Sequence, residues 1–225
     1  ALQGMTTSQM AAITSDQLQS FSAIQIGALS SSQVAAITST AFGSLKASLI
    51  SAFSTSAIPG LTTSQVSSLV GNQLTQISPA QISALSTTQI AAIAVSDITA
   101  INPRQMAAFS TSQIQGLTAD QVTALKPSQV GAIPTQNIAA LTTTQVAALT
   151  AQQVPYLSNS QMAALDSDQV TALGTQVASL KAVQLAAFST AALEGLDESQ
   201  MSALSGQQLS GLKTEQIAAL STTQI

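Results

Sequence analysis

Two close pairs of carboxylates are the residues of this sequence whose types and spacing could do acid–base or metal chemistry. Asp166 stands two residues before Asp168, and Asp197 is followed directly by Glu198. Neighbouring carboxylates can serve as general acid and general base. Both pairs, however, lie where short helices are predicted to begin, and the helix dipole stabilises negative charge there. We therefore interpret both pairs as helix-start residues and predict no catalytic site and no metal site at them.

The hydroxyl side chains are numerous but lack the partners that would activate them. A nucleophilic Ser or Thr needs a neighbouring base. The chain has no His, and no Ser–Lys pair has a distinctive setting. It also has no Cys, which removes disulfides and thiolate metal sites. Because no glycine-rich phosphate loop or calcium loop occurs either, the sequence predicts a protein that is not an enzyme and holds no cofactor.

The composition argues against two classes of partner. Five basic residues spread along 225 residues, with a net charge of −4, make no footprint for nucleic acid. No apolar run approaches the roughly eighteen residues that a membrane span needs, so membrane insertion is not expected. With 45% hydrophobic and 6% charged residues, the chain also lacks the composition of a disordered protein. We expect an ordered chain that binds neither nucleic acid nor the membrane interior.

An eight-residue repeat organises the whole chain. From residue 141 it reads LTTTQVAA, LTAQQVPY, LSNSQMAA and LDSDQVTA. An apolar residue opens each octad at position 1, and a second apolar residue follows at position 6. We expect these two positions to form the core, since they stay apolar throughout the chain. In the quoted octads the predicted core residues are Leu141, Val146, Leu149, Val154, Leu157, Met162, Leu165 and Val170.

Positions 2 and 5 carry a helix-start signal. Position 2 is usually Ser, Thr or Asp and position 5 is usually Gln, which is the spacing of a capping box, and positions 1 and 6 then form a hydrophobic staple. Pro79, Pro103 and Pro127 all lie at position 3, the first helical residue, where a missing N–H costs nothing. The predicted capping pairs of the quoted octads are Thr142 with Gln145, Ser158 with Gln161, and Asp166 with Gln169.

Neither one continuous helix nor a strand explains the octad. Eight helical residues advance about 800°, roughly 80° beyond two turns, so the apolar stripe would wind around the helix and face no single partner. In a strand, positions 1 and 6 would point to opposite faces. One octad alone cannot offset the entropy of ordering it, so neighbours must stack. We predict an all-α fold: a repeat solenoid of very short capped helices, one per eight-residue repeat, each about six residues long.

The octad frame predicts a single repeat array over residues 1–225, a window of a longer array. One residue is missing from the heptad 173–179, where the cap segment can absorb the loss. Residues 37–60 are degenerate, with Ala41, Leu49 and Ala57 in place of Gln at position 5. They predict a longer helix, an extra contact face, or decayed repeats that keep their core positions.

The motif LTTxQ[IV]xAL, seen from Leu61 to Val66 and from Leu85 to Ile90, resembles a known type of repeat array. Such arrays occur in very large secreted or surface proteins of proteobacteria, described as adhesins, haemagglutinin-like or RTX-like exoproteins. The resemblance covers the whole chain, which nevertheless lacks the calcium-binding nonapeptides of RTX arrays. It implies an extracellular or cell-surface location and a structural role rather than an activity.

Repetition without a reactive site predicts a structural extracellular filament, sheath or adhesin stalk that self-assembles, laterally or end to end. The chain starts and stops within octads, so we expect Leu2 and Ile225 at complementary assembly ends. The alternative is a surface-binding repeat protein, in which a ladder of Ser and Thr hydroxyls recognises ice or a polysaccharide.

Overall fold

Every element in the described part of the chain, residues 2–224, is a short helix. The computed structural model contains α-helices and 3₁₀-helices there and no strand, which confirms the prediction of an all-α repeat fold. None of these helices is both long and apolar enough to cross a membrane. The chain forms two compact units, one up to Leu117 and the other from Thr118 onward.

The first unit consists of α-helices of four to six residues with three 3₁₀-helices between them. Its α-helices are Thr7–Ala11, Ser15–Gln19, Ala23–Gly27, Ser31–Ala36, Ser39–Gly43, Ala47–Ile50, Thr63–Ser67, Gly71–Leu74, Pro79–Ser83, Thr87–Ala91, Pro103–Met106 and Thr111–Gln115. Its 3₁₀-helices are Leu2–Gly4, Ile58–Gly60 and Ile98–Ala100.

The second unit repeats this organisation. Its α-helices are Ala119–Ala124, Pro127–Gly131, Thr135–Ile138, Thr143–Ala147, Asn159–Ala163, Ser167–Ala172, Ala182–Leu185, Thr190–Leu193, Glu198–Ala203, Gly206–Ser210 and Thr214–Ala218. Its 3₁₀-helices are Val154–Tyr156 and Gly174–Ser179.

The octad that begins at Leu61 shows why each helix is so short. Thr62 has an extended backbone (φ −77°, ψ 156°), and its hydroxyl accepts from the Gln65 N–H at 3.1 Å. In return Gln65 Oε1 accepts from the Thr62 N–H at 2.8 Å. The helix Thr63–Ser67 then runs until the extended start of the next octad. Because such an extended N-cap residue recurs at the start of the capped α-helices, each cap both starts one helix and limits the one before it.

Within each unit, helices three octads apart along the chain pack against each other. Thr7–Ala11 lies against Ser31–Ala36 in the first unit, and Thr143–Ala147 lies against Ser167–Ala172 in the second. Octads four apart also meet, because the side chain of Gln65 reaches the carbonyl of Val34. A turn of the coil therefore closes between three and four octads. Its interior is filled by the side chains of positions 1 and 6.

Three octads form a turn and a 3₁₀-helix where the sequence predicts an α-helix. Their 3₁₀-helices occupy positions 6 to 8. In two of them Pro59 or Pro155 stands at position 7 and has no N–H to donate to the carbonyl of position 3, which weakens an α-helix. In the third, Asp97 replaces the capping Gln, and its carboxylate accepts from the Gly71 N–H at 2.7 Å instead.

The heptad 173–179 absorbs its missing residue at a glycine. The helix Ser167–Ala172 ends at Leu173, and Gly174 follows with a φ of +54°, a left-handed conformation that glycine adopts without strain. The 3₁₀-helix Gly174–Ser179 then replaces the α-helix of an ordinary octad. Val177 is fully buried in the place of position 6, so the core register survives the deletion.

The degenerate residues 37–60 keep helices of ordinary length, and no longer helix forms there. Ser39–Gly43 and Ala47–Ile50 are followed by the 3₁₀-helix that begins at Ile58. The apolar residues that replace Gln at position 5 are themselves buried. One aromatic contact is added, with the rings of Phe42 and Phe53 at a centroid distance of 5.5 Å. The segment thus consists of decayed repeats with an intact core.

Candidate functional site

The residues that most distinguish this fold are the buried glutamines at position 5. They are polar side chains in an apolar interior, and each is at most 8% exposed. Burying an amide without hydrogen bonds would cost free energy, so each must find partners there. The buried members are Gln33, Gln65, Gln73, Gln81, Gln89, Gln105, Gln113, Gln121, Gln129, Gln145, Gln153, Gln161, Gln169, Gln184, Gln200, Gln208, Gln216 and Gln224. We call this set the glutamine ladder.

Gln65 shows the geometry of one rung. Its Oε1 completes the capping box of its own helix, at 2.8 Å from the Thr62 nitrogen. Its Nε2 points the other way and donates to two backbone carbonyls, those of Val34 and Ile37, at 2.7 Å each. These acceptors lie 31 and 28 residues earlier in the chain. One side chain therefore caps a helix and ties that helix to the preceding turn of the coil.

The same arrangement recurs in both units. In the first, Gln113 Nε2 donates to Ile82 and Leu85 at 2.8 and 2.6 Å, with the same separations of 31 and 28 residues. In the second, Gln153 Nε2 donates to Val122 and Leu125 at 2.9 and 2.6 Å. The acceptors in these rungs are the carbonyls of core residues at positions 6 and 1, whereas Gln73 pairs the position 1 carbonyl of Leu45 with that of Gly43 at position 7. Since 28 residues are three and a half octads, the rungs set the length of one turn within each unit.

Among the described residues, no buried side-chain nitrogen or oxygen atom lacks a hydrogen-bond partner. The position 1 carbonyl lies in the extended link between two helices, where no helical N–H reaches it. The glutamine amide supplies that missing donor. A neutral amide suits the place because it accepts on one side and donates on the other. The amide neither gains nor loses a proton near neutral pH, so the ladder offers hydrogen bonding and no acid–base chemistry.

The predicted core residues lie where the staple requires them. Leu141, Leu149, Leu157 and Leu165 are 2–5% exposed, and the four apolar residues at position 6 of the same octads have no exposed surface. Those position 6 residues are Val146, Val154, Met162 and Val170.

The predicted capping residues form their boxes. Thr142 accepts from the Gln145 N–H at 3.2 Å, and Ser158 accepts from the Gln161 N–H at 3.2 Å. The box of the next octad uses a carboxylate, as Asp166 Oδ1 accepts from the Gln169 N–H at 2.8 Å.

The carboxylate pairs are placed as helix-start residues. Asp197 Oδ1 accepts from the Gln200 N–H at 2.7 Å, and Glu198 is the first residue of the helix that follows. Asp168 lies in the first turn of its own helix. Across the described residues, no group of three or more His, Cys, Asp and Glu side chains comes together as a metal site would require.

Of the two residues predicted at assembly ends, the structure describes only Leu2. Leu2 is buried at 7% exposure, and its carbonyl accepts from Gln33 Nε2 at 2.9 Å. Ile225 lies outside the described residues. In the first three complete octads, Gln9, Gln17 and Gln25 are exposed and form the bonds of their own capping boxes.

The sequence reasoning assigned the glutamine to capping and missed the bonds of its second amide atom. A signal for them was present. Position 2 is Val70, Lys126, Lys181 or Lys213 in four octads, and these side chains form no cap bond. Position 5 nevertheless remains Gln in all four. The glutamine Oε1 still accepts from the position 2 N–H there. A glutamine that persists where the position 2 side chain cannot complete the capping box favours a second role, which is the tie to the previous turn.

The chain is similar to one family of tandem repeats. The model of the ALTTAQ repeat matches residues 90–127 and, in an overlapping register, residues 98–135. No curated protein matches the chain. The octads of this central segment thus resemble the ALTTAQ repeat, and the described part of the chain is a tandem repeat of short helices.

Proposed function

We propose that this protein is a structural component of an extracellular filament, sheath or adhesin stalk, and that it associates with itself. The observation that carries the proposal is the glutamine ladder. Each octad with a rung contributes one donor amide, such as that of Gln65, which bonds the carbonyls of Val34 and Ile37 in earlier octads. The rule that joins one turn to the next is therefore contained in every such repeat. A contact of this head-to-tail kind extends without closing and favours open filaments.

The chemistry of the ladder supports a mechanical role. Its rungs are neutral amides held between buried backbone groups, so they resist changes of pH and salt better than ion pairs would. The exposed residues around them are mostly Ser, Thr and Ala, and charged residues are 6% of the chain. Such a surface presents little charge repulsion to a second copy that packs beside it.

An extracellular location is supported by the resemblance of the octads to arrays in large surface exoproteins. The match to the ALTTAQ repeat is consistent with a repetitive protein. The structural role is also favoured over recognition by a hydroxyl ladder. The position 2 hydroxyls, such as that of Thr142, accept from helix N–H groups and are engaged in capping.

The proposal is tested by the state of the protein and by its place on the cell. The purified chain, examined by electron microscopy and sedimentation at rising concentration, should form filaments. Antibodies against it should label intact source cells without permeabilisation. Val146→Asp should abolish filaments by disrupting the core, whereas Thr143→Ala, at an exposed position of the same octad, should preserve them. A monomer at every concentration, with labelling only after permeabilisation, would overturn the proposal.

A further inference from the structure

A groove on the second unit collects residues that depart from the octad pattern. It has a volume of about 540 Å³ and is lined chiefly by Pro155, Tyr156, Asn159, Lys181 and Val183. Tyr156 is the only Tyr of the chain and is 60% exposed, and Val183 is equally exposed. Large apolar side chains that face solvent together mark a candidate binding surface.

Each of the three most prominent residues breaks the rule of its repeat position. Position 8 is a small residue in almost every octad, yet here it is Tyr156. Position 4 is polar in most octads, yet here it is Val183. Position 2 normally caps a helix, yet Lys181 forms no cap bond. Departures from local rules that converge on one place, without a gain for the fold, indicate a functional site.

The backbone beneath the groove is held firmly in place. Gln184 Nε2 donates to the carbonyls of Leu157 at 2.7 Å and Val154 at 3.1 Å, which joins the octad of Lys181 to the two octads on the other side of the groove. The carbonyl of Tyr156 also approaches the backbone of Gly131 so closely that a Cβ atom there would lie 2.9 Å away. The Tyr156 side chain therefore projects from a fixed backbone, as a stacking platform requires.

A second groove of about 510 Å³ continues the first. It shares Asn159 and Val183 with it and adds Lys213. No Asp or Glu lines either groove in the described part of the chain. Two ammonium groups thus face a continuous surface of a protein whose net charge is −4. This local charge is complementary to an anionic ligand.

We infer that the two grooves bind an acidic polysaccharide along their length. The apolar face of one sugar ring stacks on Tyr156 and Val183, since an exposed aromatic side chain combines a broad apolar face with a polar tip. Carboxylates of successive sugars accept from the ammonium groups of Lys181 and Lys213. The amide of Asn159, between the two lysines, hydrogen-bonds ring hydroxyls. This binding is separate from the structural role and does not depend on filament formation.

The intrinsic fluorescence of the protein reports on the site directly, because the chain has one Tyr and no Trp. The full chain is titrated with a hexamer of galacturonic acid, with a neutral dextran oligomer of equal length and with oligoglutamate. Galacturonate should change the Tyr156 emission and bind with an affinity that falls as salt rises. The neutral sugar and the peptide should bind at least about tenfold more weakly.

Three variants complete the test, with calorimetry as the readout and circular dichroism as the check on folding. Tyr156→Ala and Lys181→Gln should each weaken galacturonate binding about tenfold. Lys126→Gln is the matched control, because Lys126 is also a position 2 residue without a cap bond and does not line either groove. Equal binding of oligoglutamate, equal binding of dextran, an equal loss in the Lys126 variant, or no binding of galacturonate would each overturn the inference.

Discussion

A ladder glutamine caps its own helix and also bonds the previous turn. The substitution Gln65→Glu separates these two roles. A carboxylate still accepts from the Thr62 N–H and keeps the capping bond. It cannot donate to the carbonyls of Val34 and Ile37, which Nε2 contacts at 2.7 Å. The substitution therefore removes the tie between turns, leaves the cap in place, and hardly changes the shape of the side chain.

The expected cost follows from the burial of the site. Gln65 has no exposed surface, so the two carbonyls lose a donor that water does not replace. The Ile37 carbonyl is left unsatisfied, at about 1–3 kcal/mol, while the Val34 carbonyl keeps the Ile37 N–H at 3.1 Å. The ionised carboxylate also faces both carbonyl oxygens. We expect a loss of roughly 4 kcal/mol at neutral pH, comparable to breaking a buried ion pair by removing one partner. For a chain of this length such a loss lowers the Tm by about 10 °C.

The pH dependence identifies the lost donor. Burial raises the pKa of the introduced carboxyl in the folded state above its unfolded value of about 4.3. Below the unfolded value the carboxyl is protonated in both states, and its O–H can donate to one carbonyl, so the deficit shrinks to about 1 kcal/mol. As pH rises from the unfolded pKa to the folded pKa, the unfolded state releases its proton first and stability falls. Above the folded pKa the deficit stays constant.

Urea unfolding followed by circular dichroism, at several pH values, measures this difference against the original protein. Gln17→Glu is the matched control, because Gln17 forms the same capping box with Thr14 but is exposed. Its replacement should change stability by no more than about 0.5 kcal/mol. Equal losses for the two variants, or a loss at Gln65 that does not recover in acid, would refute the assignment of a buried donor.

Three further pairs of substitutions test other parts of the structure by thermal unfolding. Val146→Asp should cost roughly 3 kcal/mol or more by placing a carboxylate in the core, while Thr143→Ala at an exposed position should be nearly neutral; equal Tm shifts would contradict the octad frame. Gly195→Ala should destabilise, since its Cβ would overlap the carbonyl of Ser167, whereas Gly206→Ala, in open space within a helix, should gain about 0.5–1 kcal/mol; a gain at both sites would contradict the close packing. Lys126→Ser should add a missing cap worth about 1 kcal/mol, and Ser158→Ala should lose one; unchanged stability in both would show that caps do not limit these helices.

The local elements could be predicted because their causes lie within one octad. The cap, the staple and the prolines at position 3 each act over at most five residues, and the structure has its helix starts where they indicate. The octads that form 3₁₀-helices were harder to predict from the sequence. Pro59 and Pro155 weaken an α-helix, but Asp97 acts through the N–H of Gly71, 26 residues away. A signal within one repeat cannot reveal a partner three octads distant.

The number of octads per turn was not predictable for a related reason. Nearly all octads present the same apolar positions, so no longer period distinguishes one face of the coil from another. The turn is set by the angle between successive helices and by which carbonyls the amide of position 5 can reach. Both are tertiary quantities. The binding groove was missed in the same way, since Tyr156 and Val183 stand 27 positions apart in the sequence and meet only when two turns stack.

The heptad provides a natural test of what the ladder recognises. Across the missing residue, Gln184 donates to Val154 and Leu157, at separations of 30 and 27 residues instead of 31 and 28. Past it, Gln208 donates to Val177 and Leu180 at the ordinary separations. The acceptors remain the carbonyls of positions 6 and 1 in both cases. The rung is therefore defined by the place of the carbonyls in the previous turn and not by a fixed count of residues. An array built on this rule tolerates a lost residue in a cap segment, provided that an αL residue such as Gly174 restores the path of the chain.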